Sequence, residues 1–243
     1  MALQYDAPTT AADVTAQLDA NPAISQTTAA AISSLLNLSD TSATVNVATY
    51  DAITGDVSGP AGTTPDLVVI STDVNTLARA AAPVVDVNLT PVADASVFVF
   101  ESTTGVNATL ATTTGDKVII GTGANDTITV TGDANVTVEG GDGNDVITTG
   151  GGNDTVIGGT GVNFIATGAG NDTIITGAGI ANTIDAGAGF DTVAIGGARA
   201  DFQIAQSGST LVLNGDDQTT SVTNAEFLTF TDNSTVAIAT NAE

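Results

Sequence analysis

A tandem nine-residue repeat between positions 121 and 194 constrains the fold more than any other feature of this sequence. Four copies follow one another without a gap: GGDGNDVIT (140–148), TGGGNDTVI (149–157), GGTGVNFIA (158–166) and TGAGNDTII (167–175). Less regular copies lie at 121–129, 131–139, 176–185 and 186–194, with Val130 and one residue near Ile180 as insertions. One copy is too short to bury an apolar face, so stacked copies must share a core.

Each copy divides into a turn and a short strand. Small residues fill the first four positions, where glycine accepts the positive φ angles of a tight turn. The eighth position always holds Ile or Val, which predicts an inward-facing column of parallel strands. That column consists of Ile128, Val138, Ile147, Val156, Ile165, Ile174, Ile184 and Val193.

The repeat resembles the glycine- and aspartate-rich nonapeptides of RTX proteins, a signature of Ca²⁺-binding β-helices. The resemblance covers about a third of the chain. It implies a right-handed parallel β-roll with two copies per turn, so that copies i and i+2 stack directly. It also implies Ca²⁺ as the cofactor, held by sixth-position side chains and by backbone carbonyls of the glycine-rich half. The expected fold class is mainly β, with the C-terminal β-roll preceded by a β-rich domain and two N-terminal helices.

Two copies per turn sort the sixth position into two sets. One set is Asp126, Asp145, Asn163 and Asn182, and the other is Val136, Asp154, Asp172 and Asp191. Carboxylates stacked at the strand spacing of about 4.8 Å repel one another, and a Ca²⁺ between them would have oxygens on both sides at about 2.4 Å.

The best sites are therefore expected at the pairs 126/145, 154/172 and 172/191. The pair 145/163 should be weaker, because an amide oxygen carries no formal charge, and Val136 and the pair 163/182 depart from the pattern. The candidate ligands are the side chains of Asp126, Asp145, Asp154, Asp172, Asp191 and Asn163, with the backbone at Gly123, Gly140, Asp142, Gly151 and Ala169.

The composition excludes several classes of function. Three Lys and Arg oppose 27 Asp and Glu, which gives a net charge of −24. This charge argues against nucleic acids and anionic membranes as partners, and it suits a divalent cation. The chain has no His and no Cys, which excludes Cys/His zinc sites, thiol nucleophiles, disulfides and His general bases. It also lacks HExxH, GxSxG and P-loop motifs, so we expect no enzyme.

The location follows from the resemblance and not from the N-terminus. The segment MALQYDAPTTAADV has neither the basic nor the apolar region of a signal peptide. No run approaches the roughly 20 apolar residues of a membrane span, and alone this would suggest the cytosol. The RTX resemblance implies instead type I secretion through an uncleaved C-terminal signal, and thus an extracellular or bacterial cell-surface location.

The remaining segments predict helices and then strands. Residues 1–40 indicate two helices, one over 11–18 capped by Thr10 and one over 22–38, which either pack on the fold or act as an assembly or anchoring module. Residues 41–120 alternate as in a β-rich domain, with a short helix at 73–82. Residues 195–243 predict a β cap, in which NAEFLTFTDN resembles the segment that commonly follows RTX repeats. Asn233 replaces a glycine there, which a left-handed turn tolerates.

The outward positions of the roll are unusually apolar. Ile157 and Ile175 lie on one face and Val146 and Phe164 on the other, so at least one face should be covered by the chain itself or by a neighbouring subunit. We expect a secreted calcium-binding structural protein that forms a homo-oligomer or polymer as a surface layer, fibre or extracellular matrix. The alternative is a calcium-stabilised adhesin or carbohydrate-binding module with a cell-surface polysaccharide as partner. Aromatic content of 4% without Trp argues against sugar stacking.

Overall fold

Two facing β-sheets make up most of the protein. The computed structural model describes residues 9–20, 24–40, 42–52, 54–60, 62–71, 84–112, 114–177, 181–216 and 218–238. Among these residues, one sheet has eleven strands and the other has nine. The described helices are α1 (Ala11–Ala20) and α2 (Gln26–Leu35), with short 3₁₀ helices at Thr90–Val92 and Arg199–Asp201.

The strands follow in chain order. They are β1 (Thr9–Thr10), β2 (Thr44–Val45), β3 (Val47–Asp51), β4 (Val57–Ser58), β5 (Leu67–Ser71), β6 (Val84–Asn88), β7 (Val97–Glu101), β8 (Gly105–Ala111), β9 (Lys117–Ile120), β10 (Thr127–Thr131), β11 (Val136–Glu139), β12 (Val146–Thr148), β13 (Thr155–Ile157), β14 (Phe164–Ala166), β15 (Thr173–Ile175), β16 (Ala181–Asp185), β17 (Thr192–Ile195), β18 (Gln203–Ser207), β19 (Thr210–Asn214), β20 (Thr219–Thr223), β21 (Phe227–Phe230) and β22 (Thr235–Ala237).

Successive strands alternate between the two sheets from β5 to β17. The sheet orders are β22-β21-β17-β15-β13-β11-β9-β7-β5-β3-β4 and β18-β19-β20-β16-β14-β12-β10-β8-β6. Each strand from β5 to β15 pairs in parallel with the strand two further along the chain, so that Ile128 lies beside Ile147 and Ile147 beside Ile165. The chain is therefore a β-solenoid, and copies i and i+2 stack as expected for a β-roll.

The core lies between the sheets. No residue of the eighth-position column is more than 1% exposed, which confirms the predicted inward column. Burial of one such Ile or Val side chain stabilises the fold by about 1.5–3 kcal/mol. Phe98 and Phe100 extend the same cluster beyond the repeats.

The strands of residues 41–120 belong to the same two sheets as the repeats. β9 pairs with β11 and β8 pairs with β10, both in parallel. Both sheets thus continue across position 120, and the division into segments 1–40, 41–120, 121–194 and 195–243 remains a proposal. The helix predicted at 73–82 lies outside the described residues.

The N-terminal helices cover part of the eleven-stranded sheet. The Thr10 hydroxyl accepts the backbone N–H of Asp13 at 3.2 Å, as predicted for the first helix. The second helix begins at Gln26 instead of position 22, because extended Ser25 caps it by accepting the N–H of Thr28. It also ends at Leu35 and not at 38.

Helix α2 lies on β9 and β11. Ile32 of this helix shares a buried cluster with Val97 and Val118 on the outer face of that sheet. The expectation that the chain covers one face is thus confirmed for these coils. On the outer face of the nine-stranded sheet, Val146 is 40% and Phe164 45% exposed.

A further coil closes the C-terminal end. After the antiparallel strands β18 and β19, the chain returns to the solenoid, where β20 pairs with β16 and β21 with β17, both in parallel. β22 then pairs with β21 in antiparallel fashion. Asn233 has φ +61°, which confirms the left-handed turn predicted there.

Candidate calcium sites

The turns between the sheets form two edges of the solenoid. The glycine edge contains the turns 121–126, 140–145 and 158–163, together with Asn182. The threonine edge contains the turns 131–136, 149–154, 167–172 and 186–191. Strand pairing places the sixth-position residues of each edge directly above one another, in the two sets named from the sequence.

Glycine is required where neighbouring turns touch. Gly143 and Gly170, both at the fourth position, have φ of +122° and +138°, a region that other residues rarely adopt. A Cβ on Gly170 would collide with the carbonyl oxygen of Gly152 in the preceding coil. The backbones of successive turns can therefore stack closely only because side chains are absent.

One oxygen of each sixth-position carboxylate joins successive coils. Asp145 Oδ1 accepts the backbone N–H of Asp126 at 2.9 Å. At the threonine edge, Asp172 Oδ1 accepts the N–H of Asp154 at 2.8 Å. In the same way, Asp154 Oδ1 accepts the N–H of Val136 and Asp191 Oδ1 accepts the N–H of Asp172. These bonds form a ladder along each edge.

The second oxygen of four of these carboxylates has no partner. The Oδ2 atoms of Asp145, Asp154, Asp172 and Asp191 are buried and accept no hydrogen bond from any residue that the structure describes. Each of the four side chains is at most 1% exposed. A buried polar atom without a partner is costly, and a buried unpaired charge is more so.

Burial therefore disfavours the charged forms of these carboxyls. It raises the pKa of Asp145 to about 7 and the pKa values of Asp154 and Asp191 to about 6. The pKa of Asp172 rises for the same reason. A hydrogen bond from the Thr149 hydroxyl would lower the pKa of Asp154. This hydroxyl instead donates to the carbonyl of Thr167 at 2.9 Å. A cation or a proton would satisfy these groups.

The space beside Asp145 suits a cation bound by oxygens. A Cβ added to Gly140 would lie 2.5 Å from Asp145 Oδ2 and 2.8 Å from the carbonyl oxygen of Gly158 in the next coil. The carboxylate and the carbonyl thus converge on a space that glycine leaves open. Ca²⁺ takes carboxylate and backbone carbonyl oxygens as ligands, so the residues present fit this ion.

Asp126 is satisfied differently from the other four aspartates. Its Oδ1 accepts the N–H of Val106 at 2.8 Å, and its Oδ2 accepts the N–H of Thr122 at 2.6 Å. The Thr122 hydroxyl also donates to this carboxylate. The structure brings Asp126 and Asp145 together, but Asp126 leaves no oxygen without a donor.

Asn163 uses both ends of its amide. Its Oδ1 accepts the N–H of Asp145 at 2.9 Å, and its Nδ2 donates to the carbonyl of Gly158 at 3.1 Å. In Asn163, an N–H donor therefore occupies the position that the unpartnered Oδ2 occupies in Asp145. Asn182 continues the ladder by accepting the N–H of Asn163, and its buried Nδ2 has no partner among the described residues.

The backbone candidates lie in the glycine-rich halves of the turns. Gly123 and Asp142 are exposed third-position residues, and the Asp142 side chain accepts the Thr160 hydroxyl at 2.8 Å. Gly151 and Ala169 pair with each other as a parallel β-bridge at the threonine edge.

A second ladder of hydrogen bonds, formed by fifth-position Asn residues, was not predicted from the sequence. The fifth-position Asn153 accepts the N–H of Asn171 at 2.8 Å and donates its own N–H to Asn135 Oδ1 at 2.7 Å. Asn144 relates to Asn125 in the same way. The signal was the recurrence of Asn at this position in five of the eight copies.

Comparison with known families agrees with this geometry. The RTX calcium-binding nonapeptide repeat matches the chain four times, at residues 120–156, 132–165, 148–180 and 157–193. No curated protein matches the sequence at a significant level. The matched residues include every aspartate whose Oδ2 lacks a partner. Residues 120–193 are therefore RTX calcium-binding nonapeptide repeats, folded as a β-roll, and Ca²⁺ is their cofactor.

Proposed function

We propose that this protein is a secreted structural protein whose repeats fold when they bind Ca²⁺ and which then self-assembles into a surface layer, fibre or extracellular matrix. The four buried carboxylate oxygens without partners are the observation that carries the proposal. They make the metal-free fold costly, and Ca²⁺ removes that cost.

The proposed ligands follow the two edges of the solenoid. Asp154, Asp172 and Asp191 would hold ions at the threonine edge, and Asp145 would hold one at the glycine edge. Backbone carbonyls of the turns, such as that of Gly158 beside Asp145, would complete the ligand sets. Asn163 would contribute least, because its amide already bonds to that carbonyl. Bound Ca²⁺ would supply positive charge to these groups.

Calcium binding would be coupled to folding. A site saturated at 100 times its Kd stabilises the fold by about 2.7 kcal/mol, so three independent sites would contribute about 8 kcal/mol. This is comparable to the whole stability of a domain. Proteins with RTX repeats are typically secreted. In the described parts of this chain, no helix has the length and apolar character needed to cross a bilayer. An unfolded chain in Ca²⁺-poor cytosol suits export, and Ca²⁺ outside the cell would then fold it.

Self-assembly is proposed from the exposed surface and the charge. Val146 and Phe164 lie side by side on the outer face of the nine-stranded sheet, each at least 40% exposed. Paired large apolar side chains on a solenoid face favour contact with a second molecule. A net charge of −24 keeps molecules apart until cations neutralise it. Calcium would therefore control both folding and assembly.

Two measurements on the purified chain test this function. Far-UV circular dichroism during a calcium titration should show β-structure increasing with Ca²⁺, and an identical β-rich spectrum in excess chelator would refute the coupling. Light scattering and electron microscopy should show ordered assemblies only with Ca²⁺. A monomer that persists at millimolar Ca²⁺ would refute assembly and favour the adhesin or carbohydrate-binding alternative.

A further inference from the structure

The coil that follows the last repeat has an unusually short turn at the threonine edge. Three residues, 224–226, connect β20 to β21. Three of the four repeat turns at the same edge have six, as in 167–172 between β14 and β15. Thr192 pairs with Phe227, so Glu226 lies level with Asp191. Glu226 thus occupies the sixth-position level of a coil that is not a nonapeptide repeat.

The Glu226 side chain continues the carboxylate ladder. Its Oε2 accepts the backbone N–H of Asp191 at 2.8 Å. This bond has the same length and direction along the chain as the one from Asp172 N–H to Asp191 Oδ1, which is also 2.8 Å. Glutamate is one methylene longer than aspartate, which lets a turn three residues shorter reach the same N–H.

Asp191 supplies an independent sign of a missing ligand. Its side chain is 0% exposed, and its Oδ2 has no hydrogen-bond partner among the described residues. At Asp145, the equivalent oxygen and the Gly158 carbonyl of the next coil lie 2.5 Å and 2.8 Å from one common point, the position of a Cβ on Gly140. The corresponding next coil for Asp191 is the one that contains Glu226. Burial and the charges of Asp172 and Glu226 together raise the pKa of Asp191, as expected for carboxylates that lie close together.

We propose that Glu226 and Asp191 form a terminal Ca²⁺ site, in which a residue outside the repeats provides the second carboxylate. The proposal rests on the function proposed above and gives the ion at Asp191 a second carboxylate. The turn at 224–226 lacks the glycine-rich half that offers carbonyl oxygens in a repeat. The terminal site therefore binds Ca²⁺ more weakly than the site between Asp154 and Asp172, and it fills last.

This site couples calcium to closure of the C-terminal cap. Phe190, in the last repeat, is 60% exposed and packs its ring against Phe227 of the cap with 5.2 Å between centroids. Strand β21 pairs with β17 immediately after Glu226. An ion held by Asp191 and Glu226 bridges these two strands at their start, so the cap becomes ordered only when the terminal site is filled.

The substitution Glu226→Gln in the full chain distinguishes a Ca²⁺ ligand from a residue that only caps the coil by hydrogen bonding. Glutamine keeps an oxygen acceptor for the N–H of Asp191 but removes the charge that a Ca²⁺ ligand needs. Glu101→Gln is the matched control, because Glu101 is an exposed residue at the end of β7. Asp172→Asn reports on the repeat sites themselves. Equilibrium dialysis with Ca²⁺ counts bound ions, and hydrogen exchange measures protection of residues 224–230.

The expected result is one fewer ion bound by Glu226→Gln than by the wild type, with Ca²⁺-dependent protection lost at 224–230 and retained at 149–175. Glu101→Gln should bind the wild-type number. If Glu226→Gln binds as many ions as the wild type and keeps its protection, Glu226 is only a hydrogen-bonding cap and the proposal is wrong. If Asp172→Asn also leaves Ca²⁺ binding unchanged, the function proposed for the repeats fails with it.

Discussion

Asp172 Oδ1 accepts the backbone N–H of Asp154 in the preceding coil at 2.8 Å, while the Oδ2 of the same carboxylate is buried without a partner in the described structure. One carboxylate thus serves two purposes. Its first oxygen sets the register of the coils, and its second oxygen makes the register costly until a cation arrives. Under the proposed function, this division lets one repeated residue both build the solenoid and make it depend on calcium.

Replacement of Asp172 by Asn should reduce calcium dependence at the threonine edge. The amide keeps the ladder bond through its oxygen and removes a buried charge, as Asn163 does at the glycine edge. We expect higher stability than the wild type in chelator, and a loss of about 2.7 kcal/mol of calcium stabilisation at 100 times Kd. Chemical denaturation with and without Ca²⁺ measures both effects. Asp216→Asn, at an exposed turn position, should change neither, and equal calcium stabilisation in Asp172→Asn and wild type would contradict the prediction.

The reverse substitution, Asn163→Asp, should strengthen calcium binding at the glycine edge. It replaces the amide N–H that now donates to the Gly158 carbonyl with a second carboxylate oxygen. The carbonyl is then released to share an ion with the new carboxylate. We expect one additional bound ion and lower stability in chelator. Isothermal titration calorimetry checks the stoichiometry, and an unchanged number of ions would count against the proposed role of the amide.

Gly140→Ala tests the space beside Asp145. The added methyl would lie 2.5 Å from Asp145 Oδ2 and 2.8 Å from the Gly158 carbonyl, so it would occupy the place of the ion. We expect weaker calcium binding and a loss of more than about 1 kcal/mol in the free energy of unfolding. Gly123→Ala is the control, since it leaves the backbone carbonyl in place and nothing lies within 4 Å of a Cβ there. Similar calcium affinities of the two variants would show that this space is not a site.

The stability of the calcium-free protein should fall as pH rises. Burial raises the pKa of Asp145 to about 7 and those of Asp154 and Asp191 to about 6, from an ordinary 3.8. Between about pH 4 and 7 the folded state therefore binds more protons than the unfolded state, and stability decreases with pH. Saturating Ca²⁺ should reverse the trend, because protons compete with the ion. Thermal melts in chelator from pH 4.5 to 8 test the sign, and a midpoint that rises with pH would contradict it.

Assembly should depend on the apolar pair on the nine-stranded sheet. Phe164 is 45% exposed, so Phe164→Ser removes apolar contact area without opening the core. We expect calcium-induced light scattering to decrease strongly, while the calcium-dependent circular dichroism stays as in the wild type. Thr183→Ser, on the adjacent strand of the same face, should scatter like the wild type. Undiminished scattering from Phe164→Ser would place the contact between molecules elsewhere.

Repetition determined how much of this structure could be predicted. The register of the eight copies follows from their length alone, so the buried column and the two sets of sixth-position residues were accessible from sequence. Strand pairing in residues 41–120 was not, because those strands lack a fixed period, although they continue the same sheets. The start of α2 was misplaced because Ser25 competes with a proline as the first-turn signal.

The candidate site was predictable by residue but not by atom. The stacking of aspartates follows from the period of the repeat. Which oxygen is hydrogen-bonded, Oδ1 or Oδ2, depends instead on contacts between coils. Asp126 illustrates the limit, because its carboxylate also accepts the hydroxyl of Thr122, which no repeat pattern encodes. Glu226 was missed because it lies outside the repeats, in a turn whose alignment with Asp191 only the fold reveals.

Anomalous diffraction from crystals grown with Ca²⁺ would show whether calcium completes the unpartnered aspartate oxygens of the solenoid. We expect a metal peak within about 2.4 Å of the Oδ2 of Asp145, Asp154, Asp172 and Asp191. Absence of peaks at these four atoms, with each Oδ2 hydrogen-bonded to the protein instead, would contradict it.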